Sequence, residues 1–372
     1  MLRVDVLKIS GKQVPHFRRR LLAWFAGRKR DLPWRRTSDP YRIWISEIML
    51  QQTRVAAVIP YYKQFVAKFP SMRALARART ETVLGRWAGL GYYSRARNLH
   101  RTAKEIVARH GGLFPRGYEA TLALPGIGRY TAAAVLSIAY GQALAVLDGN
   151  VARVLARIGA VPGDLRAPAL WRELETTAQN LLAVQAPGDW NQAMMELGAM
   201  VCTPKSPRCE QCPVARWCRA RKLAIADQLP AKRIKRATQQ VTLAAAVILD
   251  SRGRTLLVRQ NNGDGALFSR MWQFPALETT GNAAAELTLY LHTNFKFALD
   301  GNFTPLKTAR HFVTFRNIRL EPFLIRVARL PRIKGARTVA LGRLGNLPIS
   351  NATRKIVHAA LEATSSPQWR EL

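Results

Sequence analysis

Acidic side chains, cysteines and long apolar runs are all scarce in this chain of 372 residues. No stretch approaches the roughly 18 to 20 uninterrupted apolar residues of a membrane span, and the N-terminus has no signal-peptide core. The expectation is an intracellular protein with no membrane partner: cytoplasmic and nucleoid-associated in a bacterium, nuclear or organellar in a eukaryote. Without secretion, the Asn-x-Thr triplets at Asn302 and Asn351 read as chance. The four cysteines fall within residues 202–218, which excludes a disulfide framework spread over the chain and favours a metal centre. There is no internal repeat and no low-complexity tract. Asp and Glu total 23 against 58 Lys and Arg, a formal charge of +35, more than solubility requires. The excess runs from Arg18, Arg19 and Arg20 to Arg354 and Lys355, as suits a protein wrapped on a duplex, although charge alone would also fit a ribosome-associated protein.

The length favours two domains. Residues 17–219 show apolar positions at three- and four-residue spacing, broken by Pro and Gly, which predicts a helical region. Residues 230–240 (PAKRIKRATQQ) are basic and aperiodic and read as a linker. Beyond them, short β-type runs at 241–248, 255–258 and 312–327 alternate with Gly, Asn and Asp clusters. The expected fold is a mostly α part over 1–229, the linker at 230–240, and an α+β module over 241–372.

Cys202, Cys209, Cys212 and Cys218 are spaced C-x6-C-x2-C-x5-C. Zinc ribbons pair two C-x2-C knuckles and only one occurs here, so a [4Fe-4S] cluster is favoured over zinc. Basic residues in and after this loop suit it to phosphate contact. In LALPGIGRYTAAAV, Gly126 and Gly128 make a tight turn into a helix, where bare backbone amides can approach a phosphate. The arrangement reads as a helix-hairpin-helix preceded by a helix at 97–110; a purely structural corner is the alternative. Asp148 precedes an amphipathic helix, which makes it an N-cap and also a carboxylate kept ionised by amides and the helix dipole. Residues 43–59 read as one helix with Ile45, Ile48, Met49, Val55, Ala56 and Ile59 on a stripe and Glu47 off it. Solvated, Glu47 is bland; facing a cleft, burial raises its pKa and makes it an acid. Gln52 interrupts the apolar stripe.

The ordered segments LPWRRTSDPYRIWISEIMLQQTRV, GLGYYSRARNLH, LPGIGRYTAAAV, LDGNVARVLARI, NQAMMELGAMVC and the cysteine loop resemble the endonuclease III superfamily over residues 32–218. The first and fifth resemble its MutY-type adenine glycosylases. Members that also cut the backbone carry a Schiff-base Lys where this chain has Tyr130, so the resemblance implies little or no lyase activity. It further implies Glu47 as the acid at adenine N7, Asp148 as the stabiliser of an oxocarbenium-like sugar, and Tyr130 and Asn150 as groups orienting them. Leu32, Trp34, Arg35 and Gln192 match the pocket for an extruded base. Gln52 and Tyr92 match wedges beside the lesion. For Trp34 and Tyr92 the plain alternative is a core aromatic, and for Arg35 a phosphate clamp.

Residues 241–363 resemble the degenerate Nudix-like domain that such proteins use to read the opposite guanine. ETTGNAAAELTLYLHTNF lacks the acidic pairs of a working Nudix motif, so nucleotide diphosphate hydrolysis is not expected. In His311-Phe312-Val313-Thr314-Phe315, Thr314 stands where the family's lesion-contacting Ser lies, while Phe315 departs from a His; a plain amphipathic strand is the alternative. The implied function is a monomeric glycosylase acting on adenine opposite 8-oxoguanine or guanine in duplex DNA. A thymine or uracil mismatch glycosylase, or a non-catalytic DNA-binding protein on the same scaffold, is the alternative.

Overall fold

The protein, seen in a computed structural model, is described over residues 9–231, 237–259, 271–296 and 303–365. Residues 232–236 of the expected linker and Asn302 lie outside these. Its helices are α1 (Val14–Arg28), α2 (Pro40–Leu50), α3 (Val55–Lys68), α4 (Met72–Arg77), α5 (Thr80–Trp87), α6 (Tyr93–Arg109), α7 (Tyr118–Leu122), α8 (Arg129–Tyr140), α9 (Gly149–Gly159), α10 (Pro168–Leu181), α11 (Pro187–Met200), α12 (Arg219–Lys222), α13 (Ala283–Phe295) and α14 (Asn351–Ser365). The strands are β1 (Gln239–Asp250), β2 (Arg254–Arg259), β3 (Trp272–Gln273), β4 (Ala276–Thr279), β5 (Thr304–Pro305), β6 (Ala309–Val313), β7 (Arg316–Val327) and β8 (Arg337–Ala340). Packing divides the chain into two units: Met1–Arg77 with Arg97–Ile234, and Ala78–Ala96 with Lys235–Leu372. The helical-then-α+β expectation is borne out.

In the first unit, α9 carries Val151, Val154, Leu155 and Ile158 at helical spacing into a core with Phe17, Leu21 and Phe25 of α1 and Trp190, Met194 and Leu197 of α11. Each fully buried side chain of this kind is worth about 1.5–3 kcal/mol. Two glycines let α11 approach its neighbours. A Cβ on Gly188 would lie 2.9 Å from Ile138 Cα and Ser137 O of α8, and one on Gly198 2.7 Å from Asn150 Cβ of α9. The helix directly before the hairpin is the short α7, not the helix read at 97–110; α6 instead holds the turn from the side, Thr102 Oγ1 donating to Pro125 O. Residues 43–59 are not one helix. α2 ends at Leu50 and α3 begins at Val55, with Gln52 between them at φ +55°. The apolar stripe does not run through the break: α3 buries Val58, Tyr62 and Phe65 and leaves Ala56 exposed, and no Pro or Gly marks the change.

The second unit is built on β1 and β7, twelve-residue strands paired in parallel from Gln239↔Arg316 to Asp250↔Val327. Val241, Leu243, Ala245 and Val247 face a core containing Ile356 and Ala360 of α14, while Ala244, Ala246 and Ile248 face Leu287 and Leu291 of α13. Covered on both sides, β1 shows a continuous apolar run instead of alternation. The run read at 312–327 is a hairpin: β6 pairs antiparallel with β7 up to Val313↔Arg316. Its two-residue turn is Thr314-Phe315, with Thr314 at φ +54°, an uncommon conformation for a β-branched residue. From α5, Glu81 accepts from Arg259 Nη2 of β2 at 2.7 Å and from Arg337 Nη1 of β8 at 3.4 Å.

Candidate active site

The N-terminus of α2 is set by Asp39, whose Oδ1 accepts from Tyr41 N, and by Pro40 in its first turn. The helix is buried nearly all round, and Glu47 is only 5% exposed. It borders a cleft of about 500 Å³ that Tyr130, Asp148 and Asn150 also line. The Tyr130 hydroxyl donates to Glu47 Oε2 at 2.7 Å and sits 3.3 Å from Met195 Sδ. Burial pushes the Glu47 carboxyl up to about 7, against the Tyr130 hydrogen bond and the Arg35 charge, which lower it; Asp148 raises it further.

Asp148 caps α9, accepting from Val151 N at 2.7 Å and Asn150 Nδ2 at 3.1 Å. Burial raises its carboxyl as well, opposed by the Val151 amide, by Asn150 and by the Arg153 charge. Glu47 has one phenol as donor whereas Asp148 has amide donors backed by a guanidinium, so of the two Glu47 is the better placed to take a proton. The N-cap reading of Asp148 is met. Arg153 donates Nη2 to Asn150 Oδ1 at 2.8 Å and to Gly198 O at 2.8 Å, and Nε to Cys202 O at 2.9 Å.

Across the cleft, the 3₁₀ turn Pro33–Arg35 follows Leu32 and brings Trp34 and Arg35 to the wall; Gln192 of α11 lies on it too, its Nε2 donating to Gly188 O at 3.3 Å. Trp34 is buried edge-on against Tyr62, 5.3 Å between ring centroids. Sequence reasoning missed Glu196, which is 1% exposed and lines the same cleft. Its oxygens accept from Arg30 Nη2 at 2.6 Å and Arg35 Nη2 at 2.9 Å. Burial opposes ionisation, but the Arg30 and Arg35 hydrogen bonds bring its carboxyl down to about 2. The available signal was its place four residues after Gln192, on the same face of α11.

Gln52 also borders the cleft, exposed at its left-handed turn. Gly126 has φ +75°, and a Cβ there would lie 2.7 Å from Asn98 Cβ, whereas Gly128 would meet nothing within 4 Å. The first is needed to form the turn and the second leaves the α8 N-terminus bare. Tyr92 and Thr314 belong to the other unit. Tyr92 is 46% exposed, so it is not a core aromatic, and the Thr314 hydroxyl turns back to Val313 O at 2.7 Å. α13 has one carboxylate, Glu286, which accepts from Gly281 N at 2.9 Å as a capping group.

Cys202, Cys209, Cys212 and Cys218 border one cavity beside Arg157 of α9, whose Nη1 lies 3.4 Å from Cys202 Sγ. Among the described residues no three such donors converge on a single ion. Thiols around a cavity, with a guanidinium on one sulfur, fit an iron-sulfur cluster better than zinc. No helix among the described residues is long and apolar enough to cross a membrane.

Residues 45–179 match the model of the HhH-GPD superfamily of base excision DNA repair proteins, and residues 202–218 the iron-sulfur binding domain of endonuclease III. A solved thermostable thymine-DNA glycosylase is 30% identical, with a TM-score of 0.52, and is covered over 98% of its length by 57% of this chain. The chain belongs to the helix-hairpin-helix superfamily of base excision DNA repair proteins and carries that superfamily's iron-sulfur domain. Within it, the sequence is similar to adenine DNA glycosylases. The human one is 50% identical over 226 residues, 58% of this chain and 41% of its own length. That of Buchnera aphidicola from Schizaphis graminum is 29% identical over 334 residues, 87% of this chain and 92% of its own. The resemblance read from the motifs is borne out, as is the iron-sulfur cofactor; the chain spans less than half the length of the mammalian relatives.

Proposed function

We propose that the chain is a monofunctional adenine DNA glycosylase that removes adenine mispaired with 8-oxoguanine or guanine, acting as a monomer on duplex DNA. The observation that carries this is the cleft in which Tyr130 holds Glu47 while Asp148 is capped on the facing helix. With Oε2 accepting from Tyr130, the proton of neutral Glu47 sits on its other oxygen, free to pass to N7 of an extruded adenine. As the glycosidic bond breaks, positive charge grows on the sugar, and the Asp148 carboxylate, fixed by Val151 and Asn150, stabilises it. Leu32, Trp34, Arg35 and Gln192 supply the apolar wall and edge contacts for the base. No lysine lines the cleft among the described residues, which supports base removal without a Schiff base.

Gly126 and Gly128 turn the α8 amides to a phosphate, and Gln52 and Tyr92 support the opened stack. The second unit is read as a Nudix-like module in which Thr314 faces the oxidised guanine; with one capping carboxylate on α13 it has no acidic cluster for Mg²⁺ there. Cys202, Cys209, Cys212 and Cys218 would hold a [4Fe-4S] cluster, which when bound fixes the fold of a basic loop. The many relatives named adenine DNA glycosylase support this reading.

The test uses duplexes with adenine opposite 8-oxoguanine, adenine opposite guanine, and thymine opposite guanine, with and without alkali. Strand breakage of the first two only after alkali is expected. Release of thymine with adenine untouched overturns the specificity, and breakage without alkali overturns the monofunctional assignment.

A further inference from the structure

Four residues before α6, the chain makes the turn Gly89-Leu90-Gly91-Tyr92, in which Gly89, Gly91 and Tyr92 have φ of +114°, +73° and +48°. Left-handed backbone at a tyrosine is unfavourable and persists only when its surroundings impose it. Part of the constraint is local: Trp87 Nε1 donates to Gly91 O at 3.1 Å, and the Arg95 guanidinium lies 5.2 Å from the Tyr92 ring centroid. The rest comes from residues more than 250 positions later in the same unit. Tyr93 OH accepts from Gly89 N at 3.3 Å and donates to Ile349 O at 3.0 Å, and Asn351 Nδ2 donates to Gly89 O at 3.2 Å. Both backbone groups of Gly89 are therefore held by this clasp. Ile349 is itself anchored, bridging in parallel to Trp272 of β3.

We propose that the Ile349–Asn351 segment presets the Tyr92 turn for DNA, making Tyr93 and Asn351 positioning residues for lesion binding. This rests on the reading of Tyr92 as the side chain that enters the base stack. A preset ring enters without first losing the freedom of a loose loop, which is where preorganisation gains affinity. The C-terminal module then acts on the lesion at two places, through Thr314 and through the shape it gives to a turn from the N-terminal half of the chain.

The experiment compares Tyr93→Phe, Asn351→Asp and their combination with the parent. It measures Kd for an adenine:8-oxoguanine duplex and the fluorescence of a 2-aminopurine placed beside the lesion, which brightens as a wedge unstacks it. Tyr93→Phe removes a hydroxyl that both accepts and donates, Asn351→Asp exchanges the amide donor for a carboxylate of the same shape, and melting curves verify that the full chain folds. The combined variant is expected to bind at least about tenfold more weakly, as the loss of three ordinary hydrogen bonds implies, with a diminished 2-aminopurine signal; Asn351→Gln, which restores a donor, recovers part of both. In a Tyr92→Ala background the same pair is expected to change Kd less than twofold. An undiminished tenfold loss there, or an unchanged 2-aminopurine signal in the combined variant, overturns the proposal. If Tyr92→Ala by itself leaves binding and fluorescence unaltered, Tyr92 is not at the lesion and the proposal falls with that assignment, a result read in the single variant alone.

Discussion

Glu47 and Glu196 border one cleft, both nearly inaccessible to water, and their neighbours push them in opposite directions. Glu47 is raised to about 7 by burial, so folding is hindered progressively as the pH rises from the ordinary glutamate range to about 7, and the loss is complete above that. Glu196 is lowered to about 2, so its stabilisation is complete above the ordinary glutamate range and lost only as the pH falls towards 2. Each difference corresponds to about 3 kcal/mol as an upper figure. Glu47→Gln should therefore raise the melting temperature at pH 8 and leave it nearly unchanged at pH 5, while cutting single-turnover adenine release at least a hundredfold. Equal melting shifts at both values would mean that Glu47 is not titrating in the folded protein. Tyr130→Phe removes the hydrogen bond that lowers Glu47, so the alkaline limb of the single-turnover profile should move above pH 7; a limb that stays or moves to lower pH contradicts the contact. Asp148 was marked by its place at a helix start, whereas Glu47, off the apolar stripe, could equally have been a solvated residue and was singled out by the resemblance alone. Glu196 was not legible, since an acid between Met195 and Leu197 shows no partner in the sequence until arginines more than 160 positions earlier fold onto it.

At the level of helices, the cleft exists because α11 lies tight against α8 and α9, and two glycines permit it. Gly198→Ala would place a methyl 2.7 Å from Asn150 Cβ and 3.0 Å from its carbonyl oxygen. The N-terminal turn of α9 must then shift, and Asp148 moves with it. A loss of about 1–3 kcal/mol in stability is expected, with a rate loss beyond tenfold, because displacing a reacting group by a fraction of an ångström is costly. Wild-type rate in a folded Gly198→Ala protein would refute this coupling. Helical content was legible from spacing, and so was β1. The break between α2 and α3 was hidden because Gln51–Arg54 contains no Gly or Pro, and the β6–β7 turn because Thr and Phe are ordinary strand residues. In both places tertiary packing sustains a left-handed residue that local preference would avoid.

For the whole molecule, the charge of +35 sets the salt response. The logarithm of the association constant for any duplex should fall linearly with the logarithm of salt, by roughly 0.9 per phosphate contact. A flat response would exclude backbone contact as the main source of affinity. The change of character after residue 240 was visible in composition, whereas the membership of Ala78–Ala96 in the second unit was not, because a linear reading cannot join segments separated by the whole of residues 97–234. That discontinuity has a consequence for biosynthesis. At about 5–20 residues per second, the ribosome delivers the Gly89–Tyr92 turn some 10 to 50 seconds before Ile349 and Asn351 emerge to clasp it. On the role proposed for Tyr92, a nascent chain carries that turn unset until Ile349 and Asn351 have been made.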